Sequence, residues 1–199
     1  MARVSAEDRR RQLVAAAFRV IGRDGFARAT TRAICIEAGA PLASFHYCFA
    51  SKQELLDELT TQTLDALTAA RADGTHIRPT VAESLRVTLG FYWQTVEDDP
   101  GRESVLMALT QHALNDPGLS GVAEQQYAAY HRTARETLEE IAEGCGVTWT
   151  LPVEQLARMF IVVTDGVTLA WLVDRDSDAA VAALDAFAGQ LAAFAGPRP

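Results

Sequence analysis

The chain predicts an all-α fold: nine helices in a two-domain architecture, with a helix-turn-helix at the N-terminal end and a larger helical domain after it. Three observations carry this. Apolar residues recur at the three- and four-residue spacing of helices that bury one face. Residues that start helices, such as Ser5, Thr30, Ser51, Thr80 and Asp99, stand in front of these apolar stretches. Nowhere do apolar and polar residues alternate over the length of a strand, and no internal repeat is present.

Ser5 N-caps the first helix, with Glu7 and Asp8 in the first turn, where the helix dipole favours anions. Leu13, Ala17, Val20 and Ile21 form its core stripe, and Gly25 ends it. Arg9, Arg10 and Arg11 either touch a nucleic-acid backbone or are simply solvated. Thr30 or Thr31 caps a short second helix carrying Ile34, Cys35 and Ala38, which Gly39 stops. Ala40 and Pro41 lead into a third short helix, Leu42 to Phe49, with Phe45 and Phe49 directed inward and Ser44, His46 and Tyr47 outward. Ser51-Lys52-Gln53-Glu54 is a capping box that opens a fourth helix, running through Leu55, Leu59 and Leu67 to near Arg71. Ala72 to Pro79, with Asp73-Gly74 inside it, is a break.

A second capping box, Thr80 to Glu83, opens the fifth helix with Leu85, Leu89 and Tyr92. Asp99-Pro100 and Asp116-Pro117 each combine an N-cap with a proline at the first helical position. The second of these opens a long helix with Val122, Tyr127, Tyr130, Ala134, Leu138 and Ile141. Gly144, Gly146 and Thr148 mark a loop. Pro152 starts the eighth helix, Ser177 caps the ninth, and Gly196-Pro197 ends the chain. The expected domains are 1–50 and 51–199.

Two short helices joined by a Gly-containing turn and backed by a third are a helix-turn-helix, whose second member is sized for a DNA major groove. Lys52 lies in the first turn of the next helix, where its ammonium and free backbone N–H groups can face one phosphate. The segment resembles the DNA-binding domain of the TetR family of transcriptional regulators (TetR/AcrR type). Thr30-Thr31-Arg32, Ala38-Gly39, Phe49, Ser51-Lys52 and Glu54-Leu55-Leu56 carry the resemblance, which is specific over residues 8–60 and architectural beyond. It implies that Thr31, Tyr47 and Lys52 hold phosphates and that Arg32, Leu42, Ala43, Ser44 and His46 face bases. The sequence departs from the family at His46 and Cys48, where Tyr is frequent.

The net charge of −8 looks unsuited to DNA, but its distribution is uneven. Residues 1–52 hold nine basic and four acidic residues, a balance of +5, and the remaining chain holds nine basic and twenty-two acidic. A basic end that meets DNA and an acidic body that stays off it fit this pattern. The three cysteines, Cys35, Cys48 and Cys145, lack metal-ligand spacing and suit a reducing, cytoplasmic setting. A thiol redox switch remains an alternative, with Cys48 its first candidate. No secretory signal is read at the N-terminus, and no membrane span is expected, because Thr164 and Asp165 interrupt the apolar run from Phe160 to Val173.

The eighth helix is apolar on two faces, Leu156, Phe160, Val163, Val167 and Trp171 on one and Met159, Val162, Leu169 and Val173 on the other. One face suffices for a surface helix. The second, with Val181, Leu184, Phe187, Leu191 and Phe194 on the ninth helix, points to a homodimer through helices eight and nine. The middle helices are rich in rings and histidines, and a small-molecule site is expected from Trp93, Met107, His112, Tyr127, Tyr130, His131 and Asp165. Asp165, inside an apolar helix, needs a partner: Arg158, a group across a subunit boundary, or a ligand.

No G-x-S-x-G, H-E-x-x-H or phosphate-binding loop is present, so neither an enzyme nor a cofactor or metal is expected. The resemblance implies a ligand-responsive transcriptional regulator that a small, mainly apolar or aromatic effector releases from double-stranded operator DNA. The other alternative is a helical adaptor without DNA binding.

Overall fold

Nine helices follow one another in the computed structural model, which describes residues 5–72, 77–116 and 119–198, with the side chains of 63–72 and of Ser120 outside that description. They are α1 (Ala6–Asp24), α2 (Thr31–Glu37), α3 (Leu42–Cys48), α4 (Lys52–Ala72), α5 (Val81–Asp98), α6 (Pro100–Asn115), α7 (Ser120–Gly144), α8 (Val153–Asp174) and α9 (Ser177–Ala192). A single 3-10 turn, Phe26–Arg28, separates α1 from α2. The all-α, two-part architecture predicted from the sequence is what the chain adopts.

Side-chain oxygens set several of the helix starts. The Ser5 and Thr30 hydroxyls accept from the N–H groups of Asp8 and Ala33, and the Thr80 hydroxyl from that of Glu83. At the capping box, Glu54 N–H donates to the Ser51 hydroxyl at 3.1 Å. The Glu54 carboxylate accepts from the N–H of Ala50, one residue ahead of the expected amide. One start differs from expectation. The Asp176 carboxylate, rather than Ser177, caps α9, because it reaches the N–H of Ala179 at 3.0 Å. The α7 helix begins at Ser120, and residues 117 and 118, including the Pro117 expected to open it, lie outside the described residues. The Asp73-Gly74 break and the Leu67 side chain also lie outside them.

The chain divides into two compact units that do not follow chain order: residues 1–67 with 101–126, and residues 68–100 with 127–199. In the first, Leu13, Ala17, Val20, Ile34, Phe45, Phe49, Leu55 and Leu59 share one apolar core with Val105 and Leu109 of α6. Gly22 permits α6 to come close, since a Cβ there would meet Val105 at 3.3 Å. In the second, Leu85, Leu89 and Trp93 of α5, Leu138 and Ile141 of α7, Leu156 and Phe160 of α8 and Leu184 and Phe187 of α9 form the core.

One feature was not expected. Val147–Trp149 (β1) pairs antiparallel with Ala195–Pro197 (β2), with Thr148 opposite Gly196. Three-residue strands are too short to show alternation, and their partners are distant in sequence. The α8 helix is long and apolar enough to cross a membrane by length and composition. Its Leu156, Ile161 and Trp171 are nevertheless built into the core of the second unit, while Val162, Leu169 and Val173 are exposed.

Candidate DNA-binding surface and buried aromatic group

The helix-turn-helix owes its shape to a few buried side chains and one turn. Phe45 and Cys48 face inward from α3, Ile34 and Cys35 from α2. Gly39 takes φ 60°, a left-handed conformation that glycine adopts without strain, and Ala40 N–H returns to the Cys35 carbonyl at 2.9 Å. With the inner face committed, Leu42, Ala43, His46 and Tyr47 are exposed on α3 and Ser44 is half-buried; Tyr47 keeps 76% of its surface open. On α2, Arg32 is exposed and Thr31 half-buried.

The arginines sort themselves by partner. Arg9 donates to Gln12, Arg11 to Asp8, and Arg28 to the Asp24 carbonyl. Arg19 and Arg23 both hold Glu37, each at 2.8 Å, which ties the end of α2 to α1 and keeps the carboxyl below its usual range. Arg10 donates to the Cys48 carbonyl, to Glu54 at 3.0 Å and to Glu58 at 3.1 Å, and lies 4.2 Å over the Phe49 ring. Arg32 alone among the described arginines of this segment has no hydrogen bond or ion pair.

Sequence reasoning left Arg10 between DNA and solvent and missed this clamp. The signal was there: Glu54 and Glu58 are four apart on α4, with no basic residue one turn away on either side of the pair.

Lys52 is half-buried. Its ammonium sits 4.4 Å from the Phe26 ring centroid, and desolvation pulls its pKa down, partly opposed by Asp116. The same ring stacks on His112 at 3.8 Å, and His112 Nε2 is 3.8 Å from Asp116. His112 and Met107, both on α6, therefore belong to the first unit.

The remaining members of the expected ligand set, Trp93, Tyr127, Tyr130, His131 and Asp165, belong to the second unit. Tyr127 donates to Asp165 Oδ2 at 2.6 Å, and its ring meets Tyr130 edge-on at 5.6 Å. Burial raises the Asp165 carboxyl above its ordinary value, while the Tyr127 hydroxyl and His131 pull it back. Desolvation and the adjoining carboxylate raise Tyr127 as well. Tyr92 shares a 2.5 Å hydrogen bond with Thr168, one turn beyond Asp165 on α8. Trp93, 3% exposed, meets Trp171 edge-on at 5.3 Å, and its indole N–H has no hydrogen-bond acceptor. Arg158 is exposed and forms no ion pair with Asp165.

Comparison with known proteins matches both parts of the chain. Residues 13–59 fit the description "Bacterial regulatory proteins, tetR family", and residues 81–193 fit "BetI-type transcriptional repressor, C-terminal". The chain belongs to the TetR family. As a TetR-family protein it is a ligand-responsive, DNA-binding transcriptional repressor that acts as a dimer. It is 29% identical over 175 residues to the nicotine-responsive repressor HdnoR of Paenarthrobacter nicotinovorans, covering 86% of this chain and 88% of that one. Its fold is shared with a transcriptional regulator from Rhodococcus sp. Rha1, with TM-score 0.75, 20% identity and coverage of 96% and 99%. It is shared too with the regulator FadR from Bacillus subtilis in complex with stearoyl-CoA, with TM-score 0.76, 18% identity and coverage of 92% and 98%.

Among TetR-family readings the thiol switch is not favoured. Burial raises the Cys35 thiol, which keeps it protonated and unreactive, and Cys48 is buried too.

Proposed function

We propose that two copies of this chain place their α3 helices in successive major grooves of an operator in the cytoplasm, and that a small, mainly apolar or aromatic effector bound in the second unit releases them. Arg32 carries the DNA half of this reading. Every other described arginine from Arg9 to Arg28 is engaged by a protein acceptor, whereas Arg32 stands exposed and unpaired on α2. A guanidinium left free on a helix-turn-helix is suited to bond guanine O6 and N7 together, a contact worth about 1–3 kcal/mol of discrimination. Leu42, Ala43, Ser44 and His46 would face the neighbouring bases, and Thr31, Tyr47 and Lys52 the phosphates. Selection of operators from a randomised library tests this: Arg32→Ala should relax preference at one position of each half-site, and an unchanged consensus removes Arg32 from base reading.

The effector half rests on Trp93, Tyr127, Tyr130, His131 and Asp165, a set of rings with few polar tips. The nicotine response of the HdnoR relative supports a small organic effector for this chain as well. Tenfold weaker operator binding needs only about 1.4 kcal/mol of differential affinity, and the coupling is reciprocal. Calorimetry with and without operator should therefore show the effector weakened by the factor it imposes; equal affinities would uncouple the two sites.

The dimer is proposed to form through α8 and α9, where Val162, Leu169, Val173 and Val181 leave apolar surface exposed.

A further inference from the structure

We propose that Asp165 is the counter-ion of a site for an organic cation, so that the effector carries a positively charged nitrogen beside its apolar body. The inference rests on the effector reading above and names the charge that reading leaves open.

The α8 segment around Asp165 is apolar, and neighbouring Thr164 spends its hydroxyl on the Phe160 and Ile161 carbonyls of its own helix. Asp165 is left as the acidic group of a half-buried stretch. An ionised carboxylate can accept about four hydrogen bonds. Among the described residues Asp165 receives one, from Tyr127, and pairs with no arginine or lysine. His131, one turn along α7 from Tyr127, acts on it only through space. A carboxylate withdrawn from water with one neutral donor is incompletely compensated.

Its surroundings suit one sign of charge. Tyr127 donates to it and packs edge-on against Tyr130, and Tyr92 touches α8 at Thr168, the next turn. Ring faces carry negative charge density and attract cations, most strongly when both are desolvated. An anion would meet the rings and the carboxylate with only His131 to offset them, and a neutral ligand would leave Asp165 as costly as before. A cation completes it. The net charge of −8 adds a weak long-range pull in the same direction.

A purely structural hydrogen bond from Tyr127 to Asp165 would be served equally well by a neutral acceptor. Matched ligand pairs separate that role from a cation site. Benzyltrimethylammonium and neopentylbenzene have the same shape and differ in charge, as do protonated 2-phenylpyrrolidine and phenylcyclopentane. Binding is read by thermal shift and calorimetry on the full chain, and operator release by anisotropy with a labelled fragment of the DNA upstream of its own coding sequence.

At least one cation should bind about tenfold or more tightly than its neutral partner, and Asp165→Asn, which keeps an acceptor for Tyr127, should erase that preference. Neutral partners that bind as well as the cations overturn the proposal, even without the variant; if they also release operator, the effector reading stands without the charge. A preference that survives in a folded Asp165→Asn protein overturns it too, as does failure of both cations to bind at millimolar concentration. Cations that bind through Asp165 but leave operator affinity unchanged support the cation site and overturn the effector reading instead.

Discussion

Arg10 of α1 donates to the main-chain carbonyl of Cys48, the last residue of α3. Carbonyls at a helix C-terminus lack intrahelical donors and carry partial negative charge, so a guanidinium there both satisfies and stabilises the end of the recognition helix. The same guanidinium holds Glu54 and Glu58, one turn apart on α4. Three helices thus meet at one side chain, and the orientation of α3 depends on where α1 and α4 hold it.

Replacing Arg10 by Met should weaken operator binding about tenfold while leaving the salt dependence of binding unchanged, because an orienting contact is lost and no phosphate contact is. Stability should fall by about 1–2 kcal/mol as two charged hydrogen bonds and the helix-end contact disappear. Arg10→Lys should restore little, since an ammonium cannot present the planar fork that reaches three acceptors. Anisotropy titrations across a salt series decide it: a shallower slope would mean that Arg10 meets the DNA backbone.

Lys52 is expected to behave in the opposite way. Its ammonium is positioned by the Phe26 ring and partly desolvated, which leaves little side-chain freedom to lose on meeting a phosphate. Lys52→Ala should weaken specific and random DNA alike and reduce the magnitude of the salt slope by about 1 per subunit. The same titrations on random-sequence DNA check this, and an unchanged slope takes Lys52 out of the phosphate contacts.

Local physics was legible in the sequence and assembly was not. Thr30, Ser51 and Thr80 cap their helices as a hydroxyl three residues ahead of an unpaired N–H must. Phe45 and Phe49, four apart, pack inward with ring centroids 5.6 Å apart. Periodicity identifies the buried face of a helix but not the body that buries it. Nothing in the spacing of Val105 and Leu109 says that α6 joins the core of Leu13 and Phe49, or that His112 spends its ring on Phe26. Arg10 was ambiguous for the same reason: its acceptors are 38, 44 and 48 residues away.

The exposed stripe on α8 makes a prediction about assembly. Val162, Leu169 and Val173 lie on one face, and Val173 keeps 80% of its surface open. Leu184 of α9, by contrast, is buried in the core of its own unit, so Val173 and Val181 are the positions to charge. Each buried aliphatic side chain is worth about 1.5–3 kcal/mol, and two-fold symmetry counts every substitution twice. Val173→Asp should therefore give monomers at micromolar concentration in sedimentation, with the helical signal retained. A dimer that survives both Val173→Asp and Val181→Asp places the interface elsewhere.

Asp165 also bears on stability in the absence of any ligand. Its carboxyl is raised in the folded chain, with burial the leading cause, ahead of the opposing pull of Tyr127 and His131. A folded value above the unfolded one means that the folded chain binds more protons between the two. The favourable contribution is then fully present below the ordinary carboxylate value and is lost as pH rises through the raised value; above it, the ionised group opposes folding. Asp165→Asn removes that penalty and keeps an acceptor for the Tyr127 hydroxyl. The variant should therefore melt at a higher temperature than the native chain near neutral pH, and the difference should shrink as pH falls below the ordinary carboxylate range. Thermal unfolding of both proteins across pH reads this directly. A variant less stable than the native chain near neutral pH would mean that the carboxylate is already compensated within the folded protein, leaving a cation nothing to complete.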